Sequence, residues 1–218
     1  MAYRFTNPTN KKEYLFIHIP KTGGTSIGHT LSDSNQFDPI LGYEDSSLYT
    51  GHLSLRDIRE VCNTQDDIDN LIVFATVRNP FSWYVSWYSF LQSYASSDYA
   101  FIRESEMVKK PFNDFVLEIS QNRKDLVFLN GGKNTPKYQQ MVDWLSLSTE
   151  EDIKIIKMED MAKDKHLLQE IGLNVKTGAH KNKSVHKHYT TYYDTDTVKI
   201  VEGMHLDDLK VFGYTFGD

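Results

Sequence analysis

The sequence of 218 residues predicts an α/β fold, a central parallel sheet with helices on both faces, and three observations carry that prediction. Short apolar runs alternate with segments of helical period, the pattern of strands joined by crossover helices. Two of the runs, Tyr14–Ile19 and Leu71–Val77, are apolar at nearly every position, as strands covered on both faces are. Two of them end in Pro- or Gly-bearing turns that lead straight into a helix.

The strands expected are Tyr14–Ile19, a weaker Ser47–Thr50, Leu71–Val77 and Ile153–Met158. Helices are expected at Gly24–Leu31, Ser54–Val61, Pro80–Tyr94, Pro111–Ser120, Pro136–Leu145, Glu159–Ile171 and Thr195–Met204, three of them with Pro at the start. Irregular stretches fall at Ser32–Ser46, Tyr94–Lys110, Gln121–Thr135 and Lys176–His188. The third holds Asn130-Gly131-Gly132-Lys133-Asn134, which reads as a hinge or as a solvent loop.

The length suits a single domain, residues 1–218, with a full core. With 24 basic against 30 acidic residues the net charge is −6, so no general affinity for nucleic acid or an anionic membrane is expected, and any anion site must be local. Cys62 is the single cysteine; it cannot form an intramolecular disulfide, fits a reducing compartment and reads as a small buried residue. Met1–Lys12 is polar and without a signal-like apolar segment, and no stretch has the length of a membrane span, so a soluble, cytoplasmic protein is expected.

The most informative segment follows the first strand. Pro20 ends the strand, Gly23 and Gly24 allow a sharp turn, and Thr25 and Ser26 fall in the first turn of a helix. Converging N–H groups, the positive end of the helix dipole, two hydroxyls and the cation of Lys21 together favour a bound phosphate. An ordinary strand-to-helix turn with the same residues is the other reading. The order differs from an NTPase loop, where Lys follows the last glycine of G-x-x-x-x-G-K-[ST]; here Lys21 precedes both glycines. A dinucleotide G-x-G-x-x-G turn is also absent, since Gly23 and Gly24 are adjacent and the next glycine is Gly28.

A second anion site is expected where Leu71–Val77 ends in Arg78-Asn79-Pro80. A guanidinium at a strand tip suits a phosphate, and Ser86 on the following helix can add a hydroxyl; alternatively Arg78 pairs with a carboxylate and Ser86 merely packs. Two anion sites on one sheet edge call for a ligand with phosphates at both ends, such as a 3′-phosphorylated adenosine with a 5′-phosphate group.

With these two motifs the sequence resembles the sulfotransferases that use 3′-phosphoadenosine 5′-phosphosulfate (PAPS). Their 5′-phosphosulfate loop is similar to Pro20-Lys21-Thr22-Gly23-Gly24-Thr25-Ser26, and their 3′-phosphate motif to Arg78-Asn79-Pro80 with Ser86. Thr50-Gly51-His52 resembles the Gly-His element of the carbohydrate branch, which includes heparan and chondroitin enzymes. Lys154–Met161 resembles that branch's strand-then-Glu-Asp element, and Asp207–Tyr214 its C-terminal signature. The resemblance covers nearly the whole chain and implies a P-loop-like nucleotide-binding sulfotransferase fold. Two departures stand out. Many relatives have a basic residue five positions after the 3′-phosphate Arg, where this chain has Trp83, and the sequence given shows no counterpart of the membrane anchor of Golgi members, which points to a soluble bacterial or viral type or to a catalytic domain.

The resemblance implies transfer of a sulfuryl group from PAPS to an acceptor hydroxyl, of a carbohydrate or another small molecule, leaving adenosine 3′,5′-bisphosphate (PAP). Lys21 and the N–H groups of Thr22, Gly23, Gly24, Thr25 and Ser26 are expected to meet the charge on the leaving phosphate, so no metal is required. The acceptor needs a base of near-neutral pKa, for which His52 ranks first of eight histidines. His18, inside the first strand, reads as a hydrogen-bonded core residue. His180, His186 and His188 crowd a basic stretch that reads as a metal tract or a solvated loop. A late loop of this character covers the cofactor in the family, which makes Lys181, Asn182, Lys183 and Ser184 candidate cofactor contacts or, equally, an exposed basic loop. Tyr88, Tyr94, Tyr99, Tyr138 and Trp144 can stack on a sugar or aromatic acceptor or belong to the core. The alternatives are an atypical P-loop nucleotide kinase and a non-catalytic nucleotide-binding module.

Overall fold

The computed structural model describes residues 2–33, 37–38, 52–61, 68, 70–94, 106–122, 140–146, 153–161, 163, 165–173 and 186–218. Its strands are β1 (Ala2–Thr6), β2 (Glu13–Ile17), β3 (Phe37–Asp38), β4 (Ile72–Val77) and β5 (Lys154–Lys157). Its helices are α1 (Gly24–Asp33), α2 (Leu55–Val61), α3 (Pro80–Tyr94), α4 (Phe112–Asn122), α5 (Met141–Leu145), α6 (Lys165–Glu170), α7 (Thr195–Met204) and α8 (Leu206–Phe212). The chain divides into two compact units, Met1–Val77 with Met141–Lys181 and Arg78–Gln140 with Asn182–Asp218.

The first unit holds the sheet, in the order β3-β1-β2-β4-β5. The α/β fold expected from the sequence is observed, but the sheet is mixed. β2, β4 and β5 run parallel, with Phe16 opposite Phe74 and Ala75 opposite Ile155. β1 runs antiparallel to both β2 and β3. The β1–β2 connection is a tight turn at Asn7, whose side-chain oxygen accepts from Thr9 N at 2.8 Å. In this turn Lys11 takes a left-handed backbone, φ 59°. After its first residue β2 is buried at every position, and β4 is nearly so, because α/β strands are covered on both faces. One apolar cluster joins Phe16, Phe74 and Ile156 of the parallel strands to Ile27 and Leu31 of α1 and Leu168 of α6.

The three parallel strands set the chain direction that matters for function. The segment after β2 and the residue after β4 both leave the carboxyl ends of neighbouring parallel strands, where ligands of such sheets bind.

The second unit is helical and aromatic. α3 packs with α4 and α7 around Trp83, Tyr84, Trp87, Tyr88, Phe112 and Phe115. Tyr88, a candidate acceptor platform, is buried here, edge-on to Phe112 at 5.4 Å, with its hydroxyl donating to Lys110 O at 2.8 Å. Trp83 is buried as well, beside Trp87 and His205, so the position that is basic in many relatives is here a core residue. Strand Ser47–Thr50, Cys62, the 130–134 loop, Tyr99, Tyr138, His180 and Lys181, Asn182, Lys183 and Ser184 lie outside the described residues. No helix among the described residues is long and apolar enough to cross a membrane.

Candidate active site

The loop after β2 is held from below by its own side chains. Thr22, fully buried, donates its hydroxyl to Ile19 O at 2.8 Å and meets the hydroxyl of Thr76 on β4 at 2.9 Å. Its side chain is therefore committed to fixing the loop on the sheet, and what it has left for a ligand is its N–H. Lys21 has φ 64°, a left-handed conformation that costs a non-glycine residue on the order of 1 kcal/mol, and Gly23 follows at φ 90°. This pair of positive φ values turns the chain from strand to helix in few residues.

α1 starts at Gly24, so the amides of Gly24 and Thr25 fall in a first turn that supplies no partner four residues back. Ser26 N already donates to Gly23 O at 3.0 Å. Thr25 is exposed and Ser26 half-buried. Gly24 has no room for a side chain, because a Cβ there would lie 2.0 Å from Cδ2 and 2.3 Å from Nε2 of His18. At Gly23 the equivalent neighbours are softer, Met161 Cε at 3.4 Å and Met158 Cγ at 3.5 Å. The result is a cradle of main-chain donors at a helix N-terminus, which fits the phosphate end of a nucleotide.

His52 stands next to this cradle's supports. Its Nδ1 lies 2.9 Å from the carbonyl oxygen of His18. A carbonyl only accepts, so Nδ1 carries the hydrogen and Nε2 keeps its lone pair, the form a general base needs. Two residues later Ser54 and Asp57 form a reciprocal box at the start of α2, with Asp57 Oδ2 accepting from Ser54 N at 2.8 Å and Ser54 Oγ from Asp57 N at 3.0 Å. That box fixes the backbone on one side of His52, and ring contacts with His18 at 4.6 Å and Trp144 at 6.3 Å fix the imidazole on the others. Burial lowers the His52 pKa from 6.5 to about 3, against the opposing pull of the His18 hydrogen bond. His52 is accordingly neutral at physiological pH, and an anion bound nearby would raise its basicity.

His18 is a core residue, as expected, but among the described residues it is without the expected hydrogen bond at Nδ1. It lies one residue beyond β2 and is only 5% exposed. Burial, reinforced by His52 and Lys21, holds its pKa well below the ordinary value.

In the second unit Arg78, 8% exposed, donates from Nε to Ser82 Oγ at 2.8 Å. Ser82 and the equally buried Ser86 stand four and eight positions after Arg78, on one face of α3. The sequence reading named Ser86 but missed Ser82, although the i+4 spacing from Arg78 was the available signal. Asn79 caps the helix, since its side-chain oxygen accepts from Phe81 N at 3.1 Å and its amide donates to Thr215 O at 2.9 Å, with Pro80 in the first helical position. α3 is braced again at Tyr84, whose hydroxyl meets His205 Nε2 at 2.9 Å while His205 Nδ1 donates to Asp208 Oδ2 at 2.8 Å, all three fully buried. The resemblance named Asp207–Tyr214 as a signature; here Asp208 holds a buried histidine and Gly213, at φ 62°, terminates α8.

Among the described residues no group of three or more His, Cys, Asp or Glu side chains is placed to hold a metal ion. His186 is half-buried and His188 exposed, and their Nδ1 atoms lie 2.8 Å from Lys187 O and Thr190 Oγ1.

The chain and its fold have counterparts among known proteins. The model of the sulfotransferase family matches residues 5–215, and the chain belongs to that family. Its fold is similar to the crystal structure of mouse sulfotransferase SULT7A1 complexed with PAP, with a TM-score of 0.52 and 14% identity over 89% of this chain and 82% of that one. No curated protein sequence matches the chain. Family membership displaces the nucleotide-kinase alternative: the protein is a sulfotransferase.

Proposed function

We propose that this sulfotransferase moves the sulfuryl group of PAPS to a hydroxyl of a carbohydrate acceptor, with His52 as the general base. The observation that carries the reading is His52 held with Nδ1–H on the carbonyl of His18, the residue whose ring packs against Gly24 of the main-chain cradle. The structural relative bound to PAP supports PAPS as donor, and the Gly51-His52 element supports a carbohydrate acceptor.

In this mechanism His52 Nε2 takes the acceptor's hydroxyl proton as the acceptor oxygen bonds to sulfur. The bond between sulfur and the 5′-phosphate oxygen breaks in line, and both electrons of that bond leave with the phosphate. Lys21 and the amides of Thr22, Gly23, Gly24 and Thr25 meet the charge that builds there. Ser26 contributes its hydroxyl to the same anion. Arg78, oriented by Ser82, takes the 3′-phosphate together with Ser86. By the resemblance, Lys181, Asn182, Lys183 and Ser184 are further candidate contacts to the donor.

The test is transfer from labelled PAPS to a panel of carbohydrate and phenol acceptors. His52→Ala should lower kcat by about 10²–10⁴-fold and leave PAP affinity nearly unchanged. Full activity in His52→Ala would remove His52 as base, and transfer confined to phenols would remove the carbohydrate.

A further inference from the structure

His18 is buried, yet it carries a polar nitrogen with no hydrogen bond among the described residues, an arrangement that costs about 1–3 kcal/mol. A residue serving only as filler would be apolar. What surrounds it explains the choice of a small flat ring. The imidazole stacks on Phe16 at 5.8 Å, meets His52 edge to face at 4.6 Å, and lies so close over Gly24 that no Cβ fits between them. The main-chain carbonyl of the same residue accepts the Nδ1–H of His52.

One residue thus touches the base twice and the donor loop once. The carbonyl selects the tautomer of His52, since the alternative would set an Nδ1 lone pair against the carbonyl lone pairs. That selection works only while the imidazole plane of His52 stays aligned with the carbonyl, and the edge-to-face contact with the His18 ring, nearer than that with Trp144, holds it there.

We propose that His18 is a positioning residue for sulfuryl transfer, whose carbonyl and ring together lock His52 with Nε2 as the proton-accepting nitrogen and set its separation from the amides at Gly24 and Thr25. The proposal rests on His52 being the base, but its test does not depend on turnover.

The experiment is the ring ¹⁵N spectrum of His52 in the full chain at neutral pH. Wild-type protein should show one neutral tautomer, protonated at Nδ1. His18→Leu fills the space with an aliphatic chain and keeps the carbonyl; it should show His52 in both tautomers. A pure Nδ1–H tautomer in folded His18→Leu would overturn the proposal. Should His18→Leu not fold, the double variant His18→Ala/Gly24→Ala, in which the new methyl at position 24 enters space the ring has left, is read by the same spectrum and the same criterion. Full activity in His52→Ala would instead refute the base assignment while leaving this spectrum unaffected.

Discussion

The two segments proposed to bind anions are built from different materials. The loop from Lys21 to Ser26 offers main-chain amides, and its best-held side chain, Thr22, faces away into the sheet to grip Thr76. The Arg78 segment offers a side chain, a guanidinium oriented by Ser82 on a helix whose start is capped by Asn79. A backbone cradle is specified by what must be absent, namely a Cβ at Gly24, whereas a guanidinium site is specified by what must be present. Substitutions should therefore act differently in the two places. In the loop the harmful change is an addition, and at Arg78 it is a removal.

The largest effect on the fold is expected at the loop. Gly24→Ala places a methyl 2.0 Å from the His18 ring, so either the ring or the loop must move. Overpacking of this kind costs about 1–3 kcal/mol, and chemical denaturation of the variant should show that loss together with weaker PAP binding. Wild-type stability and affinity in Gly24→Ala would mean that the loop is not tightly held by His18.

At the second segment Asn79→Ala removes the cap of α3 and the tie to Thr215, with an expected cost of about 1 kcal/mol. Because the helix start carries Arg78's partner Ser82, PAP affinity should fall in this variant. A loss of stability without any loss of affinity would show that the guanidinium is oriented independently of the cap.

A third effect, on pH dependence, is expected on the loop side. His18 and His52 are both held neutral by burial, so the unfolded chain takes up protons as pH drops below 6.5 while the folded chain resists. Stability is thus full above 6.5 and declines as pH falls toward the folded value of His52, about 3. Each histidine contributes at most about 1.4 kcal/mol per pH unit in that window. Urea titrations at neutral and mildly acidic pH should show the decline, and His18→Leu should reduce its slope.

Much of this architecture was legible in the sequence. β2 and β4 declared themselves as continuous apolar runs and β5 by Ile153, Ile155 and Ile156, and α3 was readable from end to end because Asn79 and Pro80 punctuate its start before an apolar stretch. β1 was not, because Ala2-Tyr3-Arg4-Phe5-Thr6 buries only part of one face and hides as a polar leader. β3 has two residues and gives no periodicity at all. α8 was hidden by the break at His205, whose φ of −124° interrupts the helical run after Met204. In the site, residue types pointed to Lys21, Arg78 and His52, whereas the tie between His52 and His18 passes through a backbone carbonyl and leaves no mark on side-chain chemistry.

The central claim is that the chain recognises both phosphates of a bisphosphorylated adenosine, the 5′ end through the Lys21 loop and the 3′ end through Arg78. Calorimetric titration with PAP and with adenosine 5′-monophosphate, in wild type and in Arg78→Ala, tests it most directly. The account predicts micromolar PAP affinity in the wild type, far weaker binding of the monophosphate, and an Arg78→Ala protein that no longer distinguishes the two. Undetectable PAP binding at millimolar ligand, or equal affinity for both nucleotides in the wild type, would contradict it.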